Sequence, residues 1–363
     1  MKYSRNMGAD CFRVMMLMLV MVYHTWVING SVPIDNRIIS SIIILGGEVG
    51  VTGFFVLSGW SIYQSLKKQS ENYWLFLKKR FIRIAPEYYL SIVIVLFFSS
   101  GAGWLSKEGI KSVIATMFFC QNILPGVSAV NGVLWTMSVT AMFYIVSPVL
   151  NKMLCKFNTI FVVFSVSITI LMKYIFLHWG PIYGTYDSFY LSRQTIITDL
   201  DNFVLGMAVA HLMNKYGTCI IRKNFFSCIG IIASLCGVIG YGILGMQYGI
   251  HTDNVSGYGW HSVIAILLAI NLFFWCILEV PEFFGSSRIS QFIRLLAKHQ
   301  YGIYVFHLLV IQNLVSNSEL IVLITNKNYI LAQAVIVILA TAVGILMSWI
   351  IQLAINGIRN EMS

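Results

Sequence analysis

Long apolar runs separated by short polar stretches dominate the chain from end to end. They run Cys11 to Ile28, Ile42 to Leu66, Tyr88 to Ser100, Val133 to Leu150 and Ile160 to Leu177. The later ones are Ile196 to Met213, Phe226 to Met246, Tyr258 to Leu278, Tyr301 to Val315 and Ile330 to Ile355. At 1.5 Å per residue, a helix needs about 20 residues to cross roughly 30 Å of hydrocarbon, and several of these runs are that long. The third and ninth are shorter and need flanking residues to complete a crossing. The stretch from Ile110 to Ile123 is apolar but too brief, and reads as an interfacial or re-entrant piece. The pattern predicts an all-α, polytopic transmembrane bundle of about ten helices. It is expected to form one domain over residues 1–363, with no fused extracytoplasmic domain.

Composition strengthens this picture. Hydrophobic residues make up 58% of the chain and charged residues 10%, with a mean hydropathy of +0.79. Soluble domains carry about a quarter charged residues, so most of this surface faces something other than water. The net charge of +10 raises the question of nucleic acid. However, the lysines and arginines sit in short runs between apolar stretches, which is a topogenic pattern and not a nucleic-acid surface. With the N-terminus in the cytoplasm and one crossing per run, 17 lysines and arginines fall inside and 5 outside. An extra crossing at Ile110 would invert the later half and spoil that asymmetry, so both termini are expected in the cytoplasm. Arg13 and Lys173 remain within helices or at their edges. Lys2 and Arg5 precede the first run as in a signal peptide, but Arg13 and His24 interrupt it and no small-x-small cleavage site follows, so it reads as a retained helix. The seven cysteines are odd in number, lack C-x-x-C pairing and lie mostly in or beside apolar runs, so neither a disulfide framework nor a metal site is expected from them.

Polar residues inside the runs carry the candidate chemistry. A charge near the bilayer centre costs roughly 2.5–3.5 kcal/mol, so each needs a reason. Arg13 and His24 stand eleven positions apart, which places them within about 20° of one helical face and about 16 Å apart along the axis. Arg13 then lies near the cytoplasmic interface and His24 toward the outer half. A packing account has Arg13 snorkelling and His24 bonded to a neighbouring helix; two such residues on one face favour a functional one. Glu48, in GGEVGVTG, could pair with Arg13 or His24, or could lie at the outer interface. His307 and His261 are candidates of the same kind, or hydrogen-bonded packing histidines. Asp199 and Asp201 open the sixth run from the outer side, where acids favour a helix N-terminus. No HxxxH or HExxH spacing joins the histidines, so no metal site is expected. Lys78–Arg83 (KKRFIR) lies on the cytoplasmic side ahead of Pro86. Such a cluster can simply fix topology, yet Arg80 and Arg83 share a helical face and could grip a polyphosphate with two guanidinium forks.

Several segments taken in order resemble the type 3 membrane acyltransferases, which O-acylate bacterial cell-surface glycans and other small acceptors. RNMGADCFRVMMLMLVMVYH is similar to the family's first helix, with Arg13 and His24 standing as R-x10-H. GVTGFFVLSGW (Gly50–Trp60) resembles a second-helix pattern ending FFVLSGF, and RFIRIAP (Arg80–Pro86) resembles a cytoplasmic RxxR preceding helix three. LWTMSVTAMFYIVSPVL (Leu134–Leu150) resembles LWSLSVEEQFY, DNFVLGMAVA a later F-x-x-G segment, and YGIYVFHLLV the penultimate helix. Within these motifs Ser58, Trp135, Tyr144 and His307 are further candidate site residues. The chain departs at Thr140, followed by Ala141, where the family commonly has an acidic residue. Either that carboxylate is dispensable, or a group such as Glu48 supplies it, or the acceptor differs.

The resemblance implies a membrane O-acyltransferase of the bacterial inner membrane, expected to be an O-acetyltransferase. It would move an acyl group from cytosolic acyl-CoA to a hydroxyl of a cell-surface or lipid-linked glycan. Acyl-CoA would be a co-substrate and not a resident cofactor; the other partners would be the saccharide acceptor and membrane lipids. Arg80, Arg83 and Arg13 would hold the CoA phosphates. His24 would act as general base or carry the acyl group covalently, and the sequence does not choose between these. A transporter or flippase of a lipid-linked sugar is the competing class, since buried His and Arg also mark transport paths. The inverted repeats and paired broken helices common in transporters are not visible in the sequence. A non-catalytic receptor or assembly component is the third reading.

Overall fold

A computed structural model describes residues 6–68, 72–98, 103–124, 126–178, 194–216, 224–247, 258–278 and 287–361. Among these residues the regular structure is helical throughout. The helices are α1 (Met7–Ile28), α2 (Arg37–Ile44), α3 (Gly46–Lys68), α4 (Tyr73–Phe98), α5 (Lys107–Met117), α6 (Trp135–Phe157) and α7 (Thr159–His178). They continue with α8 (Leu200–Tyr216), α9 (Asn224–Gln247), α10 (Tyr258–Ile277), α11 (Arg288–Asn317), α12 (Glu319–Lys327) and α13 (Tyr329–Glu361). A short 3-10 turn, Gly132–Leu134, leads into α6.

Six helices, α1, α4, α6 with its leading turn, α7, α9 and α13, are long and apolar enough to cross a membrane. The number rises to eight if two bent pairs each count as one span, α2–α3 bent by 51° and α11–α12 bent by 81°. The chain is a multi-pass membrane protein. The sixth and eighth apolar runs are helical as expected, as α8 and α10, but lie outside that count; α8 has 17 residues. With 11 residues, α5 is about 16 Å long, half of what a crossing needs.

Two runs differ from the sequence expectation. The second is not one straight helix: it begins at Arg37, breaks at Leu45 and resumes at Gly46. The third starts at Tyr73, so Lys78–Arg83 and Pro86 lie inside α4 and not ahead of it. Lysine and arginine are good helix formers, so the polar half of α4 is helical although its hydropathy hides it.

The centre of the bundle is α1, packed against α3, α10, α11 and α13. Phe12, Met16, Leu17, Val20 and Met21 along it are fully buried. Helices α1 and α3 run antiparallel in close register, with Gly46 against Leu19, Gly47 against Tyr23, and Gly53 against Met16 and Phe12. A second close crossing joins α3 to α8. A Cβ on Gly59 would sit 2.0 Å from the Phe203 carbonyl oxygen, and one on Gly206 1.8 Å from that of Val56. Only glycine lets these two backbones approach so closely.

Candidate functional site

Near the C-terminal end of α1, His24 meets His307 of α11. The His24 Nδ1 and His307 Nε2 atoms are 3.0 Å apart, and the ring centroids 5.0 Å. The other nitrogen of His307, Nδ1, lies 2.6 Å from the Tyr304 carbonyl oxygen. A carbonyl can only accept, so His307 Nδ1 carries a proton. In the neutral ring Nε2 is then an acceptor, and the proton between the rings belongs to His24 Nδ1. Neutral His24 is left with a bare lone pair on Nε2. His307 is fully buried and His24 half-buried.

Toward the other end of α1, Arg13 lines a pocket of about 110 Å³ together with Ser58, Arg80, Arg83, Thr140 and Tyr144. Arg13 is not a bare cation: its Nη1 lies 2.5 Å from Oδ1 of Asp10, which is 1% exposed. Arg80 bonds Ser65 Oγ. Its guanidinium also stands 5.4 Å from the Phe76 ring and 5.7 Å from Tyr144, a cation held between aromatic faces. Arg83, one turn further on, is exposed. Phe54 and Tyr304 line the pocket as well, edge to face at 5.5 Å. Tyr304 reaches both sites, because its ring is 5.6 Å from His307 and its hydroxyl is hydrogen-bonded to Thr136 at 3.1 Å. Neither His24 nor His307 lines the pocket itself.

Arginines at one end of a helix and a tautomerically fixed imidazole pair at the other can bind a polyanion and handle a proton. Two imidazoles fall short of the three protein ligands that a catalytic zinc takes. A family model described as an acyltransferase domain matches residues 7–351, from the start of α1 to the later part of α13. The chain belongs to the acyltransferase 3 family. It is an acyltransferase. No curated protein and no solved structure matches the chain.

In this acyltransferase, five of the residues singled out from sequence, Arg13, Ser58, Arg80, Arg83 and Tyr144, converge on one pocket. Thr140 lies there too, its hydroxyl donating to the Thr136 carbonyl at 2.8 Å, so the family's acidic position faces the pocket here as a capped hydroxyl. Trp135 does not line it. Its ring packs edge-on against Phe55 at 6.1 Å, in a core shared by α3, α6 and α8. Glu48 lies in the first turn of α3, level with Leu19–Tyr23, so the helix register places it with the His24 end of α1 and away from Arg13. The side chain of His261 lies outside the described residues, as do Lys2, Arg5, Arg193, Arg222 and Lys223 from the charge comparison.

Asp199 and Asp201 need a correction. They are not at a solvated helix end but buried, 6% and 0% exposed, within electrostatic reach of Lys173, itself 5% exposed. Ser262 of α10 donates to Asp201 at 2.5 Å, and the Asn202 side chain donates to Asp199 at 3.0 Å. Helices α7, α8 and α10 meet around this group, which is why acids at the start of α8 are not in water. Sequence reading also missed Asp10 and Glu87. Glu87 is buried in α4 and interacts electrostatically with Arg83 and Tyr301. Both acids carried a local signal, since Asp10 stands three positions before Arg13 and Glu87 four after Arg83.

Proposed function

We propose that this acyltransferase moves an acyl group, acetyl in particular, from cytosolic acyl-CoA to a hydroxyl of a cell-surface or lipid-linked glycan in the bacterial inner membrane. The observation that carries the reading is the His24–His307 pair, whose hydrogen bonds leave His24 Nε2 unprotonated. In direct transfer, that nitrogen takes the proton of the acceptor hydroxyl as its oxygen bonds to the thioester carbonyl carbon. The C–S bond then breaks, and the imidazolium returns that proton to the departing CoA thiolate, which leaves as the thiol. His307 Nε2 accepts from His24 Nδ1–H throughout, holding the ring and stabilising the imidazolium. In the relay version, Nε2 itself bonds to the carbonyl carbon as the C–S bond breaks, and CoA leaves as a thiolate that takes a proton from water; the acceptor oxygen then takes the acyl group from nitrogen and gives its own proton back to water. Both routes begin at the same lone pair.

Arg13, Arg80 and Arg83 would receive the CoA phosphates, with Arg83 the most accessible and Arg80 held by aromatic rings. The pantetheine arm would cover the axial gap of about 16 Å from Arg13 to His24. At about 110 Å³ the pocket is smaller than typical ligand sites of ~300–1,000 Å³. The nucleotide would therefore stay outside it, and Phe54 and Tyr304 would yield as the acyl end passes. Ten crossings with both termini in the cytoplasm fit this scheme, with α8 and α10 crossing and α2–α3 and α11–α12 counted once each.

Two variants test it in protein that inserts and purifies normally. His24→Ala should abolish acyl transfer measured by CoA release and product mass; retained turnover would move the chemistry elsewhere. Arg13→Lys keeps the charge but loses the planar fork, and should raise KM for acyl-CoA. Mass spectrometry of surface glycans from a deletion strain should show a lost acyl substituent. Intact acylation with accumulated precursor would point to transport instead.

A further inference from the structure

One group of buried charges takes no part in the proposed transfer. Lys173 of α7 and Asp199 and Asp201 at the start of α8 are all more than nine-tenths buried, and none of them lines the arginine pocket. The register of α8 gives their height. Tyr63 of α3 meets His211 of α8 at 2.8 Å and Gly59 lies against Phe203, so the two helices run parallel with an offset of 148 positions. Carried back along α8, that offset sets Asp199 and Asp201 about level with Val51 and Gly53. Gly53 packs on Met16, near the middle of α1. The cluster thus lies midway along the central helix, where an uncompensated charge is costly.

Two acids face one ammonium there, since Lys173 acts electrostatically on both and Asp201 acts on Asp199. The two acids are not equivalent. Asp201 accepts at both oxygens, from the Asn202 backbone N–H at 2.7 Å on Oδ1 and from Ser262 of α10 at 2.5 Å on Oδ2. A carboxyl met by donors on both sides is the ionised one, because an anion only accepts. Asp199 accepts from the Asn202 side chain on Oδ1 at 3.0 Å, and its Oδ2 is buried with no hydrogen-bond partner. A bare anionic oxygen in that position bears its full desolvation cost, so a proton suits it better than a charge. The other helices packed on α8 bring apolar side chains, Phe55 and Val56 of α3 and Phe143 of α6, while Glu48 stands in the first turn of α3. Hard metal ions take six or more oxygen ligands. Here donors surround the carboxyl oxygens, and the described residues hold no group of three His, Cys, Asp or Glu fit for a metal.

We propose that Asp199 is a proton-binding site inside the membrane, loaded with one proton beside a Lys173–Asp201 charge pair. The charge count then closes, with one ammonium, one carboxylate and one neutral acid. A buried acid that holds or releases a proton midway across is the unit from which membrane proton paths are built. Nothing in this assignment depends on the acyl donor or on the acceptor.

Infrared spectroscopy of the full chain in nanodiscs tests it, with aspartate isotope-labelled at its carboxyl so that its neutral-acid carbonyl band is read apart from glutamate. At neutral pH, Asp199→Asn should lower that band by one carboxyl per chain and melt like wild type, because an amide replaces a neutral acid of nearly the same shape. Lys173→Met removes the cation, so Asp201 should take a proton as well and the band should rise by one carboxyl. Asp201→Asn forces Asp199 to ionise in its place, and should melt below both wild type and Asp199→Asn. A band as large in Asp199→Asn as in wild type would overturn the proposal, as would a band unchanged in Lys173→Met, which stands as an independent check if the first variant folds poorly. The reverse order of melting would move the proton to Asp201 and overturn the assignment. A band that appears only when sodium is withdrawn would make this a cation site, with the same consequence.

Discussion

A histidine whose second nitrogen is committed to a backbone carbonyl is a poor base but a good holder of another ring. His307 is in that position, and the reading makes it a positioning residue for His24. His307→Leu removes the acceptor opposite His24 Nδ1, so kcat should fall about 10²-fold, the usual scale of general-base assistance, with KM for acyl-CoA nearly unchanged. His307→Gln can turn its amide oxygen toward the same nitrogen and should recover part of the loss. A packing role alone would predict lost protein in both variants, with no separation of kcat from KM and no rescue; steady-state kinetics on purified protein decides. The expected costliness of Arg13 and His24 in an apolar helix was legible because the sequence spacing sets both face and depth. The partner of His24 was not, because 283 positions separate the two rings and only the packing of α1 on α11 joins them. Asp10 lay within view three positions from Arg13, but an acid in the first turn of a helix has an ordinary explanation.

At the scale of elements, the helices emerged from hydropathy where they are apolar throughout, and failed to emerge where they are half polar. The N-terminal half of α4 carries Lys78, Lys79, Arg80 and Arg83, so hydropathy placed it ahead of the span and not in the same helix. The glycines of α3 and the F-x-x-G of α8 are visible in the sequence, but nothing there joins them. The structure pairs them with each other, Gly59 against Phe203 and Gly206 against Val56. This crossing also bears on the arginine pocket, because α3 contributes Phe54 and Ser58 to its lining. Gly206→Ala puts a methyl group into the Val56 backbone, which cannot rotate away as a side chain would, and must push α8 from α3. Overpacking of this kind costs about 1–3 kcal/mol. The variant should melt several degrees lower in detergent and lose turnover together with stability, whereas Gly240→Ala, where a Cβ meets nothing, should change neither. Thermal melts of the two proteins side by side make the comparison.

For the whole molecule, the open question of direction through the membrane turns on α5. If α5 crossed, every helix after it would reverse, and the lysines at the end of α6 would face outward. Its length of 11 residues argues against a crossing, and its exposed lysines and apolar face suit an interface. Two native cysteines sit where the alternatives disagree. Cys120 follows α5, and Cys155 is exposed near the end of α6, beside exposed Lys152 and Lys156. In the ten-crossing arrangement Cys120 faces outward and Cys155 the cytoplasm; with α5 as an added crossing the two exchange sides. Variants retaining only one of these cysteines, treated on intact cells with a membrane-impermeant maleimide, should label at Cys120 directly and at Cys155 only after permeabilisation. The reverse pattern would overturn the arrangement. Labelling of both from outside would mean that α6 does not cross at all, a result its hydropathy and 23 residues make hard to accommodate.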